Sequence, residues 1–208
     1  MVRKNIERRI KERMNNAVYE INCEVTGFRP LLQNDLNAME LDAKATVAKK
    51  GQVYEPEEEA VKRLTVNAEG VVCQRATHFE AAMVKAATSF KFQGMKTYKD
   101  LFKAGVFVEP LLIPHIIQEW VIDTQFVKIG AARVPRCRPR FDNWKLAFII
   151  SVTDDRIPPA VLKEILMEAG RSQGVGDYRP RYGLFDITNW ELIKEAIPVE
   201  DVILDEAA

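Results

Sequence analysis

The sequence predicts an α+β chain with a ferredoxin-like βαββαβ core, two insertions and a helical N-terminal arm. Three observations point there. Residues 18–26 alternate, with Tyr19, Ile21, Cys23 and Val25 on one face and Glu20, Asn22, Glu24 and Thr26 on the other, the pattern of a half-buried first strand. Residues 144–153 alternate equally well, Leu146, Phe148, Ile150 and Val152 against Lys145, Ala147, Ile149 and Ser151. Each of two helical patterns, 78–90 and 158–169, runs between strand-like segments.

The elements follow in order. Val2, Ile6, Ile10 and Met14 stand four apart on a basic segment, a narrow apolar stripe that predicts an arm over 1–16. Gly27–Leu32 turns the chain after the first strand, and 33–73 reads as an insertion holding a short acidic helix from Glu55-Pro56 and a hairpin around Gly70. Thr77 and Glu80 form a capping box before Phe79, Ala82, Met83, Ala86, Ala87 and Phe90 at helical spacing. Residues 91–124 read as a second insertion, with a short helix at 98–104 and a short strand at 106–108. The β-rich run 124–134 is then the second core strand and 144–153 the third. Asp154 and Asp155 can cap a helix with Pro158 and Pro159 in its first turn, and Val161, Leu162, Ile165, Leu166 and Ala169 form its apolar face. Leu184–Thr188 reads as the last strand, 190–196 as helical, and 191–208 as an acidic tail. The organisation expected is one domain over 17–190 between arm and tail.

With 208 residues, 47% of them hydrophobic, the chain can bury a sizeable core. No apolar run reaches the roughly 20 residues that span a bilayer, and the charged N-terminus lacks the apolar stretch of a signal peptide. Cys23, Cys73 and Cys137 are odd in number and contain no CxxC pair, which favours buried thiols in a reducing compartment. A cytoplasmic protein with no membrane contact, no metal and no cofactor is expected.

Net charge is zero, but the charge is unevenly placed. Segments 128–145 and 171–185 together hold nine positive and two negative residues, a local excess suited to an anionic partner. Arg136, Arg138 and Arg140 alternate, so an extended chain points them the same way, roughly 6–7 Å apart. Pro135 and Pro139 remove backbone donors, which fits an edge or protruding arm at 133–142, with Arg133 at its start. The stretch GRSQGVGDYRPRYGLF, 170–185, interleaves Gly174 and Gly176 with Arg171, Tyr178, Arg179 and Arg181. Glycine lets backbone amides approach a phosphate, arginine pairs with it, and tyrosine can stack on bases. Under this reading Gly176→Val would abolish binding at little cost in stability. The first strand's open face, Glu20, Asn22 and Glu24, is acidic and repels phosphate, so the arm and the loop are the better candidates. Catalytic signals are thin: His78 and His115 fit packed or solvated positions, and Asp35 is a lone acid after the turn.

Two resemblances follow from these motifs. A glycine-rich loop before the final strand of a βαββαβ pattern, Gly174-x-Gly176…Gly183, with the PLL turn Pro30-Leu31-Leu32, resembles the RAMP superfamily, RRM-like proteins that build CRISPR effector backbones. The run RVPRCRPRFDNWKL followed by EAGRSQGVGDYRPRYGLF resembles a family of uncharacterised phage and prophage proteins. Together they imply a non-enzymatic, largely sequence-independent protein that binds single-stranded nucleic acid and assembles side by side as a homo-oligomer. The residues assigned to the strand are Arg133, Arg136, Arg138, Arg140, Arg171, Gly174, Gly176, Tyr178, Arg179 and Arg181. Two alternatives remain: an interaction protein whose arginines meet an acidic protein such as its own tail, and a RAMP-like nuclease using His78 or Asp35.

Overall fold

The computed structural model describes residues 17–35, 55–129 and 132–195. The arm at 1–16, residues 36–54 of the first insertion, residues 130–131 and the tail beyond 195 lie outside the described residues.

A four-stranded antiparallel sheet forms the centre. Strand β1 (Tyr19–Gly27) lies between β8 (Lys145–Val152) and β9 (Phe185–Glu195), while β4 (Val106–Glu109) pairs with the outer side of β8. The register joins Tyr19 to Val152 and Thr26 to Lys145, so the two alternating segments read from the sequence pair with each other as expected. Their apolar faces, Ile21, Cys23 and Val25 with Leu146, Phe148 and Ile150, are buried in one cluster with two helices. Helix α2 (Ala76–Ala86) contributes Phe79, Ala82 and Met83, and helix α4 (Pro159–Glu168) contributes Leu162, Ile165 and Leu166. Phe79 sits between the sheet's aromatics, its ring centroid 4.6 Å from Phe148 and 5.3 Å from Phe185.

A second sheet has three strands. Strands β6 (Val121–Ile129) and β7 (Ala132–Phe141) form a long hairpin, and β2 (Leu31–Leu32) joins the base of β7. Helix α1 (Pro56–Lys62) packs on this hairpin. The described elements also include a two-stranded ladder, β3 (Cys73–Arg75) with β5 (Leu112–Pro114), and helix α3 (Lys99–Gly105).

Four expectations change. The second strand of the central sheet is β4, inside the segment read as an insertion, and 124–134 belongs to the β6–β7 hairpin instead. β4 has only four residues, with Val106 and Val108 buried, too few for a clear period. The last strand does not give way to a helix at 190 but continues to Glu195. Its pairing with β1 slips at Glu20/Ile21 and Glu24/Val25, and these bulges space Ile187 and Trp190 three apart, which imitates a helix. Glu80 does not close a capping box, because its carboxylate accepts the Val108 amide at 3.0 Å and so ties α2 to β4. Asp154 holds Arg156 rather than capping α4, whose first turn is set by Pro158 and Pro159.

Candidate nucleic-acid interface

Helix α4 ends in a π-helical turn over Ala169–Gln173, and the glycine-rich loop begins at Gly174, φ +70°. The loop is nailed to the core from within. Its Asp177 amide donates to Leu32 O (2.8 Å), its Gly183 amide to Pro30 O (2.7 Å) and its Val175 amide to Gly183 O (2.9 Å), while the Val175 side chain is fully buried. The Gly174 amide donates to Ala169 O, so it does not face a ligand as the sequence reading has it. At Gly176, φ +79°, a Cβ would collide with Leu31 Cδ1 and stand 2.5 Å from Leu32 O. The close approach that needs this glycine is therefore to β2. The expectation that Gly176→Val costs little stability is overturned.

The outer rim of the loop is different. Tyr178 is 54% exposed and held at φ +56°, a region bulky residues rarely adopt. Arg179, Pro180 and Arg181 follow it at the surface. Among the described residues no carboxylate pairs with Arg179, Arg181 or Arg29, and Arg29 lies across a cleft of about 340 Å³ from Arg181 and Tyr182. The sequence pattern alone does not single out Arg29. Its backbone is fixed on both sides, its amide donating to Leu184 O (3.3 Å) and its carbonyl accepting from Trp144 Nε1 (2.8 Å). The GFRPLL turn was the only signal for it.

The arginine row on β7 does face one way. Cys137, Pro139 and Phe141 are buried on the opposite face. The row is not open, however. Arg136 Nη1 lies 3.2 Å from Glu59, Arg138 Nε 3.3 Å from Asp177, and Arg140 3.1 Å from Asp123 and 2.8 Å from Asp142. These contacts bring the two sequence-predicted segments together: Arg138 grips the loop through Asp177, and Gln125 Nε2 on β6 reaches the Tyr182 hydroxyl at 3.2 Å. Arg171 stands apart, 3.5 Å from Asp186 at the start of β9. For Arg133 the structure gives the backbone, paired with Lys128.

Behind the loop runs a buried polar chain. His78 Nδ1 contacts Gln74 Nε2 (2.6 Å), Gln74 Oε1 accepts from Gln33 Nε2 (3.3 Å), and Gln33 Nε2 also lies 3.3 Å from His115 Nε2. Asp35 is buried against Arg75 (2.9 Å) and the Thr65 hydroxyl (3.3 Å). Among the described residues, no three His, Cys, Asp or Glu side chains are placed to share a metal ion, and no helix is long and apolar enough to cross a membrane. Cys23, Cys73 and Cys137 are buried and outside any disulfide.

Burial depresses both histidines to about 4, and the nearby Arg179 and Arg75 push His78 the same way against the opposing pull of Asp177. The unfolded chain, with histidine near 6.5, then binds these protons more tightly than the folded one. Stability is expected to be complete above pH 6.5 and to fall as pH drops from about 6.5 towards 4. Glu109, raised first by burial and then by Glu20 and Glu80, works in the opposite direction. Melting temperatures of wild type and His115→Gln across that window test this, and a wild-type curve flat from pH 7 to 5 would refute it.

No protein-family model matches the sequence, and no curated protein sequence matches it either. The fold is similar to a chain in a solved structure described as "Cryo-EM structure of the Type III-B Cmr-beta bound to cognate target RNA". The TM-score is 0.58 with 11% sequence identity, over 94% of this chain and 67% of that one. At that identity the likeness concerns the fold alone.

Proposed function

We propose that this chain is a non-enzymatic RNA-binding protein of RAMP type, which holds a single strand along the rim of the glycine-rich loop. The sheet order β4-β8-β1-β9, with α2 and α4 sharing its core, supports reading it as a split βαβ, ferredoxin-like domain whose additions are the α1 region and the β6–β7 hairpin. The RNA in the neighbour's description supports the ligand class. The observation that carries the reading is the division of the arginines. Arg136, Arg138 and Arg140 on the hairpin are matched by the chain's own carboxylates, whereas Arg179 and Arg181 sit exposed on a loop whose backbone is locked to β2. Guanidiniums held on a rigid support and free of internal partners are suited to a phosphate backbone.

The hairpin arginines Arg133, Arg136, Arg138 and Arg140 are assigned to aligning the arm, with Gly174 and Gly176 shaping the loop rather than donating to the strand. Side-by-side assembly along a shared strand, as the phage-type motifs imply, extends the same reading. The Arg179→Ala/Arg181→Ala variant tests it by fluorescence anisotropy on a single-stranded RNA. Binding should weaken for every sequence, and the slope of log affinity against log salt should flatten by about 1.4, at ~0.7 per lost contact. Melting should not change, since both side chains are exposed. Unaltered affinity and slope would remove the strand from this surface.

A further inference from the structure

Between α2 and the loop lies a second cleft, of about 360 Å³, bordered by Ala81, Lys85, Gln173, Asp177, Tyr178 and Arg179. Its volume is in the range of small-ligand sites. Its walls divide by chemistry. Lys85 and Arg179 are exposed cations without a carboxylate partner among the described residues. Tyr178 offers a ring face at the rim, and Ala81 and Ala82 keep the helix side low.

Two of the remaining polar side chains, Gln173 and Asp177, offer the cleft an acceptor. Ser172 donates its hydroxyl hydrogen to Glu168 O (2.9 Å), so its oxygen can only accept from Gln173, 2.8 Å away. That places Gln173 Nε2 on Ser172 and leaves Oε1 without a partner in this chain of bonds. Asp177 is held by its amide on Leu32 O and by Arg138 at Oδ2, an atom with almost no exposed area. Its side chain is nevertheless 33% exposed, so the exposed oxygen is Oδ1. A carboxylate oxygen and an amide oxygen bordering one cleft suit a ligand edge that presents two donors.

Guanine has that edge: its N1–H and N2–H₂ donate in parallel, whereas uracil has one donor between two carbonyls and adenine one amino group beside an acceptor. We propose that this cleft receives one guanine base of the bound strand. Asp177 and Gln173 read its Watson–Crick edge, Tyr178 stacks on it, and Lys85 and Arg179 take the adjoining phosphate. This rests on the RNA-binding reading and adds base selection to it.

Heptauridylates carrying a central guanosine, inosine, adenosine or uridine separate the two. Wild type is expected to bind the guanosine heptamer roughly tenfold more tightly than the adenosine or uridine ones. Inosine, which keeps N1–H but lacks the 2-amino group, should fall between. In Asp177→Asn the guanosine-to-uridine ratio should drop to about one, and in Gln173→Ala it should drop part of the way, which serves if the first variant melts early. Equal binding of all four heptamers by wild type overturns the guanine site and leaves the RNA-binding reading intact. Binding of none of them overturns both.

Discussion

Gly183→Ala is expected to lower the melting temperature by about 6–12 °C. Gly183 sits at φ +74°, and a Cβ there would overlap Val175 O and stand 2.8 Å from Val175 C, both backbone atoms that cannot rotate aside. Strain at such a φ costs about 1–3 kcal/mol, and forced overpacking costs a similar amount. A combined ~3 kcal/mol corresponds to that range at 2–4 °C per kcal/mol in a chain of this size. Gly70→Ala isolates the clash. Its φ is +79° but nothing lies within 4 Å of the added Cβ, so only the strain should appear. Equal losses in the two variants would mean that the loop gives way freely around Val175, and the rigid support assigned to Arg179 and Arg181 would then be lost.

What the sequence reveals depends on how far a feature's cause lies along the chain. β1, α2, β8 and α4 were legible because each carries a full apolar period that one core satisfies. β4 is legible as a short strand but not as part of the central sheet, because four residues on a sheet edge need only two buried valines. β9 was cut short because bulges against β1 break its alternation, and a bulge is decided by the partner strand. The site divides in the same way. Arginine spacing on β7 and the glycine pattern were visible, and their convergence through Arg138 and Asp177 is real. A charge count cannot see that Glu59, 77 residues before Arg136, already neutralises it. Nor does local pattern show that Gly176 packs on Leu31 and Leu32, since that contact is made by chain folding back from the first strand.

Glu59→Ala is expected to destabilise by about 3 kcal/mol, a loss comparable to that of Gly183→Ala and larger than for any other single carboxylate of the hairpin region. Glu59 Oε1 receives Arg63 Nη2 (2.9 Å) and Arg136 Nη1 (3.2 Å), and Oε2 receives the Cys137 amide (3.1 Å). One carboxylate thus joins α1, the side chain of Arg63 and the backbone of β7. The groups are well shielded, with side-chain exposures of 15% for Glu59, 3% for Arg63 and 20% for Arg136. Removing the acid brings two cations to one site with their common partner gone, and breaking such a buried pair typically costs about 3–5 kcal/mol. The lower end is taken because Arg63 keeps Asn34. Glu59→Gln preserves shape and one acceptor and should lose about half as much. Glu58→Ala is the comparison, since its pair with Lys62 is on the same helix but 59% and 70% exposed, and it should cost less than ~0.5 kcal/mol. Amide hydrogen exchange should show the loss of protection first in 121–141, the hairpin that Glu59 holds. If Glu59→Ala and Glu58→Ala melt together, the hairpin is held by its apolar face alone, and its arginines are free to be assigned to the strand once more.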